Sequence, residues 1–234
     1  MAKKKGSAYM SGGEKIAGLI FFAVYLLLPL VTAPLFRVAG NLLGVTIRPA
    51  LQNLIYYYVL FGVTVVIFHS FLGRTCRNLA DNLGPAAKYL GAGLVALYGL
   101  NELAFRLTNL AVRHSLNLND TAISAQIQGA PRTTFLIVVL LAPFIEEVLV
   151  RGLVFGNLRA KSSWVAYLVS AMLFALLHVW QFAVVQQDLA GFVVLLQYLV
   201  PGLVLAWCYD RTGTLWTAIG VHAAANALAV WTVH

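Results

Sequence analysis

Glu146, Glu147 and Arg151 stand inside "APFIEEVLVRG", residues 142–152, in one of the most apolar parts of the chain. Two later apolar stretches carry further polar groups. His178 ends "FALLH", one turn after Phe174, and His222 and Asn226 bracket "HAAAN". One carboxylate, two imidazoles and one amide are the parts with which water attacks a carbonyl. Glu146 would take the proton, His178 would share it, and His222 and Asn226 would donate to the developing oxyanion.

Spacing separates the two glutamates. Glu147 and Arg151 are i and i+4, share a helix face and can pair. Glu146 lies ~100° round the helix from Glu147 and ~140° from Arg151. Glu147–Arg151 therefore reads as internal neutralisation, and Glu146 as the group left for chemistry. Pro143, one turn earlier, removes a backbone donor and is expected to kink the helix and open room for water. A structural triad joining helices is the alternative for these three charges. His178 is alternatively a satisfied packing residue. His222 and Asn226 share a face among Gly220, Ala223, Ala224, Ala225 and Ala227, where another helix can approach closely, so interhelical hydrogen bonding is their alternative.

The elements that must position these groups are transmembrane helices. Of 234 residues, 61% are hydrophobic and only 10% charged, where a soluble domain is about a quarter charged. Mean hydropathy is +0.83. So much apolar surface needs lipid as well as a core, and uninterrupted apolar runs favour helices over a barrel. Seven spans of roughly bilayer length follow: 16–36, 51–72, 85–106, 133–157, 163–182, 189–209 and 213–233. The polar stretch 108–132 reads as a loop or surface helix. With the N-terminus in the cytoplasm, ten basic residues fall on that side and five on the far side: Arg37, Arg48, Arg106, Arg113 and Arg132. This bias predicts an all-α, single-domain bundle, N-in and C-out. The basic start and first apolar run read as a retained helix rather than a signal peptide. The net charge of +8 belongs to this flanking pattern, and nothing interleaves aromatic and basic residues for nucleic acid. Cys76 and Cys208 form no metal or redox motif and read as packing residues.

The span 133–157 is marginal by itself. Its three charges cost roughly 8–10 kcal/mol at mid-membrane. Its 15 Phe, Leu, Ile and Val residues return about 5–9 kcal/mol. Its polar face must meet other helices or water.

EExxxR at Glu146–Arg151, FxxxH at Phe174–His178 and HxxxN at His222–Asn226, in this order, resemble the CPBP family of CAAX prenyl protease 2-like (Abi) intramembrane endopeptidases. "YDRTGTLW", Tyr209 to Trp216, is similar to the lead into that family's third motif. The likeness covers about 133–234; the earlier residues show nothing specific. It implies a peptide-bond hydrolase buried in the bilayer, acting on a membrane-associated or lipidated protein or peptide, here in a bacterial cytoplasmic membrane. Carried over by position, Glu146 would activate water, His178 would assist, His222 and Asn226 would stabilise the oxyanion, and Glu147 and Arg151 would support the first motif. The family is often labelled metalloprotease, yet a metal-free glutamate mechanism has been argued for it. Glu146, His178 and His222 could hold a catalytic zinc with an open water position. That would use the base as a ligand unless Glu147 replaced it, so no obligatory metal or other cofactor is expected. The rival function is a non-catalytic scaffold, bacteriocin-immunity factor or small carrier that uses the same polar cluster for binding.

Overall fold

The computed structural model describes residues 10–111, 118–186 and 194–232, so Lys3, Lys4, Lys5, Arg113 and the start of the expected span 189–209 lie outside the described residues. Every regular element among the described residues is helical, and the protein is an all-α bundle of membrane type.

α1 (Gly12–Leu27) starts at a capping box: Ser11 Oγ accepts from Glu14 N, and Ser11 N donates to Glu14 Oε2 at 2.7 Å. The expected unbroken span 16–36 is corrected here. The chain bends by 72° between α1 and α2 (Pro29–Leu43). Pro29 has no N–H to continue the ladder and instead starts the next helix. Gly44, at φ 65°, closes α2 in the left-handed conformation.

The remaining helices are α3 (Pro49–Asp81), α4 (Leu83–Ala111), α5 (Leu118–Gly129), α6 (Pro131–Arg159), α7 (Ser163–Gln186), α8 (Leu195–Thr212) and α9 (Leu215–Thr232). By length and apolar composition, Pro49–Asp81, Pro131–Arg159 and Ser163–Trp180 can cross a membrane, and the bent α1–α2 pair makes a fourth candidate. The apolar Leu215–Trp231 is shorter. The polar stretch 108–132 is partly helical: α4 runs to Ala111 and α5 supplies the surface helix.

α6 is the hub, its residues 141–153 buried on every face. α3 runs beside it in the same direction. Asn53 lies across a cavity from Thr133 and Ile137, Phe61 packs on Phe144 at 4.8 Å, and Phe71 lies against Gly152. α8 closes on α7 at Gly202, where an added Cβ would come 2.9 Å from Ala171 Cα. α4 closes on α8 and α9 at Gly93, beside Cys208 and Val221. Cys208 is the buried packing residue expected, whereas Cys76 is exposed.

Glu14 ties α1 to α3. Phe68 departs from helical geometry (φ −105°, ψ 17°), which breaks the ladder just before Phe71. Phe71 N donates to Glu14 Oε1 at 2.6 Å, and Arg74 Nη2 pairs with Glu14 Oε2 at 2.8 Å. The carboxylate therefore caps the second half of α3 as an N-cap side chain does. Glu14→Ala should orphan the buried Phe71 amide and lower stability by about 1–3 kcal/mol in thermal unfolding of the detergent-purified protein. Glu14→Gln, which still offers an acceptor to Phe71 N, should lose less.

Candidate active site

α6 changes helical pitch twice around its carboxylates. Leu136–Leu141 and Val148–Phe155 are π-helical, and the α-helical turn Ala142–Glu147 lies between them. In the first π segment Ala142 N donates to Ile137 O, five residues back. The next bond of that register would run from residue 143 to Val138 O, and Pro143 has no N–H to give. Asn226 Nδ2, on α9, donates to Val138 O at 2.8 Å instead. The irregularity expected at Pro143 is thus a π turn whose missing bond is supplied from another helix. Such turns gather at functional sites because they re-aim side chains without breaking the helix.

Glu147 and Arg151 pair as their spacing predicts, Nη1 to Oε1 at 3.1 Å, with both side chains fully buried. Arg151 Nη2 donates to Gly202 O at 3.1 Å, and the guanidinium lies over the Phe174 ring, 4.5 Å from its centroid. Glu147 has a second partner that spacing did not indicate. His222 Nδ1 donates to Glu147 Oε1 at 3.0 Å. Glu147 therefore joins α6 to α9, and Arg151 joins α6 to α7 and α8.

The two imidazoles are set in one tautomer by fixed acceptors. His178 Nδ1 is 2.8 Å from Phe174 O, and a carbonyl can only accept. His222 Nδ1 faces a carboxylate oxygen. In the neutral rings both protons are therefore on Nδ1 and both Nε2 atoms are acceptors. Those two atoms face the same oxygen: His178 Nε2 is 3.8 Å and His222 Nε2 is 4.0 Å from Glu146 Oε2. That oxygen is buried and has no hydrogen-bond partner among the described residues. Both separations exceed a direct hydrogen bond and suit one small molecule between the groups. Phe174 fills the space between the imidazoles, its ring centroid 4.5 Å from His178 and 5.5 Å from His222.

The structure thus brings Glu146, His178 and His222 to one point, with Glu147, Arg151 and Phe174 behind them. Asn226 is held one turn beyond His222 on Val138. Sequence reasoning missed Tyr198 of α8, which stacks on His178 at 4.6 Å, and the carbonyls of Gly202 and Val138. The small Gly202 after Pro201 was the only visible signal for the close α8 approach, and backbone acceptors leave none.

Ligands of a tetrahedral zinc at about 2.0–2.1 Å lie roughly 3.4 Å apart, closer than either Glu146–imidazole separation. Among the described residues no group of three His, Cys, Asp or Glu side chains is gathered for a metal ion.

Residues 128–228 match the family described as Type II CAAX prenyl endopeptidase Rce1-like. The match spans less than half of the chain. All of the site residues named from the sequence lie within it. The chain is 29% identical over 186 residues to a Bacillus subtilis (strain 168) protein named "Putative membrane peptidase YdiL", covering 77% of this chain and 70% of that one. It is 32% identical over 88 residues to "UPF0177 protein YxdF" of Lactococcus lactis subsp. lactis (strain IL1403), covering 37% of this chain and 42% of that one. No solved structure matches.

Removing one member of the buried pair leaves a charge with no solvent. Arg151→Met should lower stability by about 3–5 kcal/mol and reduce the amount of folded protein recovered from membranes. The double variant Glu147→Gln, Arg151→Met should recover part of that loss, read as thermal stability of the purified proteins.

Proposed function

We propose that this protein is an intramembrane endopeptidase that hydrolyses a peptide bond of a membrane-associated or lipidated protein or peptide, with water activated by Glu146. The observation that carries the reading is the convergence of Glu146 Oε2 with the Nε2 atoms of His178 and His222, 3.8 and 4.0 Å away. Three acceptors around one buried point call for a molecule that brings its own hydrogens, and water has two. The family that residues 128–228 match, and the name of the Bacillus relative, support peptide hydrolysis as the reaction.

In this mechanism Glu146 takes a proton from the water as its oxygen attacks the carbonyl carbon. His178 Nε2 accepts the water's other hydrogen and keeps the oxygen aimed. The carbonyl oxygen becomes an oxyanion. His222 is placed to carry a second proton, because its Nδ1–H is held by the Glu147 carboxylate, and Nε2–H then donates to that oxyanion. The Asn226 amide has two N–H groups. One satisfies Val138 O and the other is the second oxyanion donor. The C–N bond breaks as the proton held by Glu146 passes to the leaving nitrogen. Base, relay and donors all come from the chain, so no step is assigned to a metal. We place the protein in a bacterial cytoplasmic membrane, N-terminus inside, on its basic flanks and its bacterial relatives.

Glu146→Gln keeps the side-chain shape and removes the base. It should lower cleavage of a membrane-peptide library in detergent by at least about 10²-fold, the lower end of a positioned base's contribution, with an unchanged melting temperature. Full activity in that variant would remove Glu146 from the role. Wild-type activity should persist after dialysis against a strong chelator, and loss restored by added zinc would overturn the metal-free assignment.

A further inference from the structure

The proposed catalytic groups all come from residues 128–228, yet two helices outside that stretch press on α6 at the level of Glu146. Phe61 of α3 packs on Phe144, two residues before Glu146. Tyr57 lies one turn earlier on the same face of α3. On α1, Gly18 lies against Phe68 of α3 and Leu153 of α6. α1 runs against both helices. Seven residues on, about two turns, Tyr25 returns to the Gly18 face at the level of Phe61 and Glu146. Tyr25 and Tyr57 both pack on the core that contains Phe144 and Ile145, and both lie within reach of the Glu146 charge. Tyr56 meets Tyr57 edge-on at 5.1 Å.

Tyrosine at such positions needs a reason beyond packing. Phenylalanine fills the same space without a hydroxyl that must find a partner. Neither the Tyr25 nor the Tyr57 hydroxyl is hydrogen-bonded to another described residue. Toward the N-terminal ends of α3 and α6, a half-open cavity of about 470 Å³ lies between α3, α5 and α6. Arg48, Asn53, Gln126, Thr133 and Thr134 contribute its polar groups, and Ala50, Ala130 and Ile137 part of its apolar wall. Asn53, in its wall, is one turn from Tyr57 on the same face of α3. The cavity's volume is that of an ordinary ligand site and admits a few residues of extended chain.

We propose that Tyr25 and Tyr57 are substrate-binding residues, donating hydrogen bonds to backbone carbonyls of a peptide that enters by the Asn53–Thr133 cavity and lies between α1, α3 and α6 beside Glu146. This rests on the protease reading above and adds that the active site is incomplete without the N-terminal helices. A peptide strand drawn from a membrane segment arrives with unsatisfied carbonyls, and two phenols, one on α1 and one on α3, would hold it in register.

The test uses the full chain in lipid nanodiscs with a library of photo-crosslinkable transmembrane peptides. Cleavage is measured for wild type, Glu146→Gln, Tyr25→Phe, Tyr57→Phe and the double phenylalanine variant. Capture of the same peptides is measured for Glu146→Gln with and without both phenylalanines. The double variant should lose at least about tenfold in kcat/KM, mostly through KM, at an unchanged melting temperature, and capture should weaken to a similar extent. Wild-type cleavage that Glu146→Gln abolishes but the phenylalanine variants leave unchanged would overturn the tyrosine site while proteolysis stands. No cleavage by wild type, with capture that still falls on loss of the phenols, would overturn proteolysis while the tyrosine site stands. Capture that is absent, or indifferent to the phenols, overturns the tyrosine site in either case.

Discussion

A charged triplet in an apolar helix must be neutralised by something other than water, and the bundle is arranged around that requirement. Arg151 is fully buried, and its guanidinium is divided among the Glu147 carboxylate, the Gly202 carbonyl and the Phe174 ring. Each partner comes from a different place: α6 itself, α8 and α7. Glu147 extends the chain to His222 on α9. A single ionic network therefore determines which helices may approach α6 and at what depth. It also consumes Glu147 and leaves Glu146, on the next face, with no hydrogen-bond partner for Oε2 among the described residues. The different surroundings of the two glutamates follow from where the positive charge is, since they differ by one position in sequence.

Backbone chemistry makes room for that separation. Pro143 cannot donate to Val138 O, and the helix responds with a π turn rather than a break. Asn226 closes the open carbonyl and fixes α9 against α6 one turn from His222. The residue that would stabilise the oxyanion thereby also sets the depth of the helix that carries it. His178 is oriented differently, by its own helix: the Phe174 carbonyl holds Nδ1, and Tyr198 stacks on the ring. Both imidazoles thus reach Glu146 in a defined tautomer from helices that meet α6 separately.

Much of this was legible in the sequence. Composition required lipid, and the helix class followed from it. The i, i+4 spacing of Glu147 and Arg151 gave their pairing, and the three short motifs contain Glu146, His178 and His222, which converge. What was not legible lies mostly in the backbone. A carbonyl acceptor such as Gly202 O has no residue signature, and a π turn differs from an α turn only in which amide bonds to which carbonyl. The 72° bend after Leu28 was hidden because the apolar run 16–36 carries no charge, and hydropathy does not register what Pro29 does to the ladder. The second partner of Glu147 was missed for another reason. His222 was read with Asn226 on one helix face, whereas its Nδ1 answers to a charge 75 positions away in the chain. Tyr25 and Tyr57 stand in helices that showed no motif, and only the levels at which α1 and α3 cross α6 bring them to Glu146.

The central claim is that Glu146 activates water rather than attacking the peptide itself. Single-turnover cleavage in water enriched in oxygen-18, with enzyme in excess over peptide, tests it most directly by mass spectrometry of the new C-terminus. Water activation predicts one oxygen-18 atom in that carboxylate after the first turnover. A new carboxylate free of label, with oxygen-18 found in Glu146 instead, would show a covalent acyl-glutamate and contradict the account.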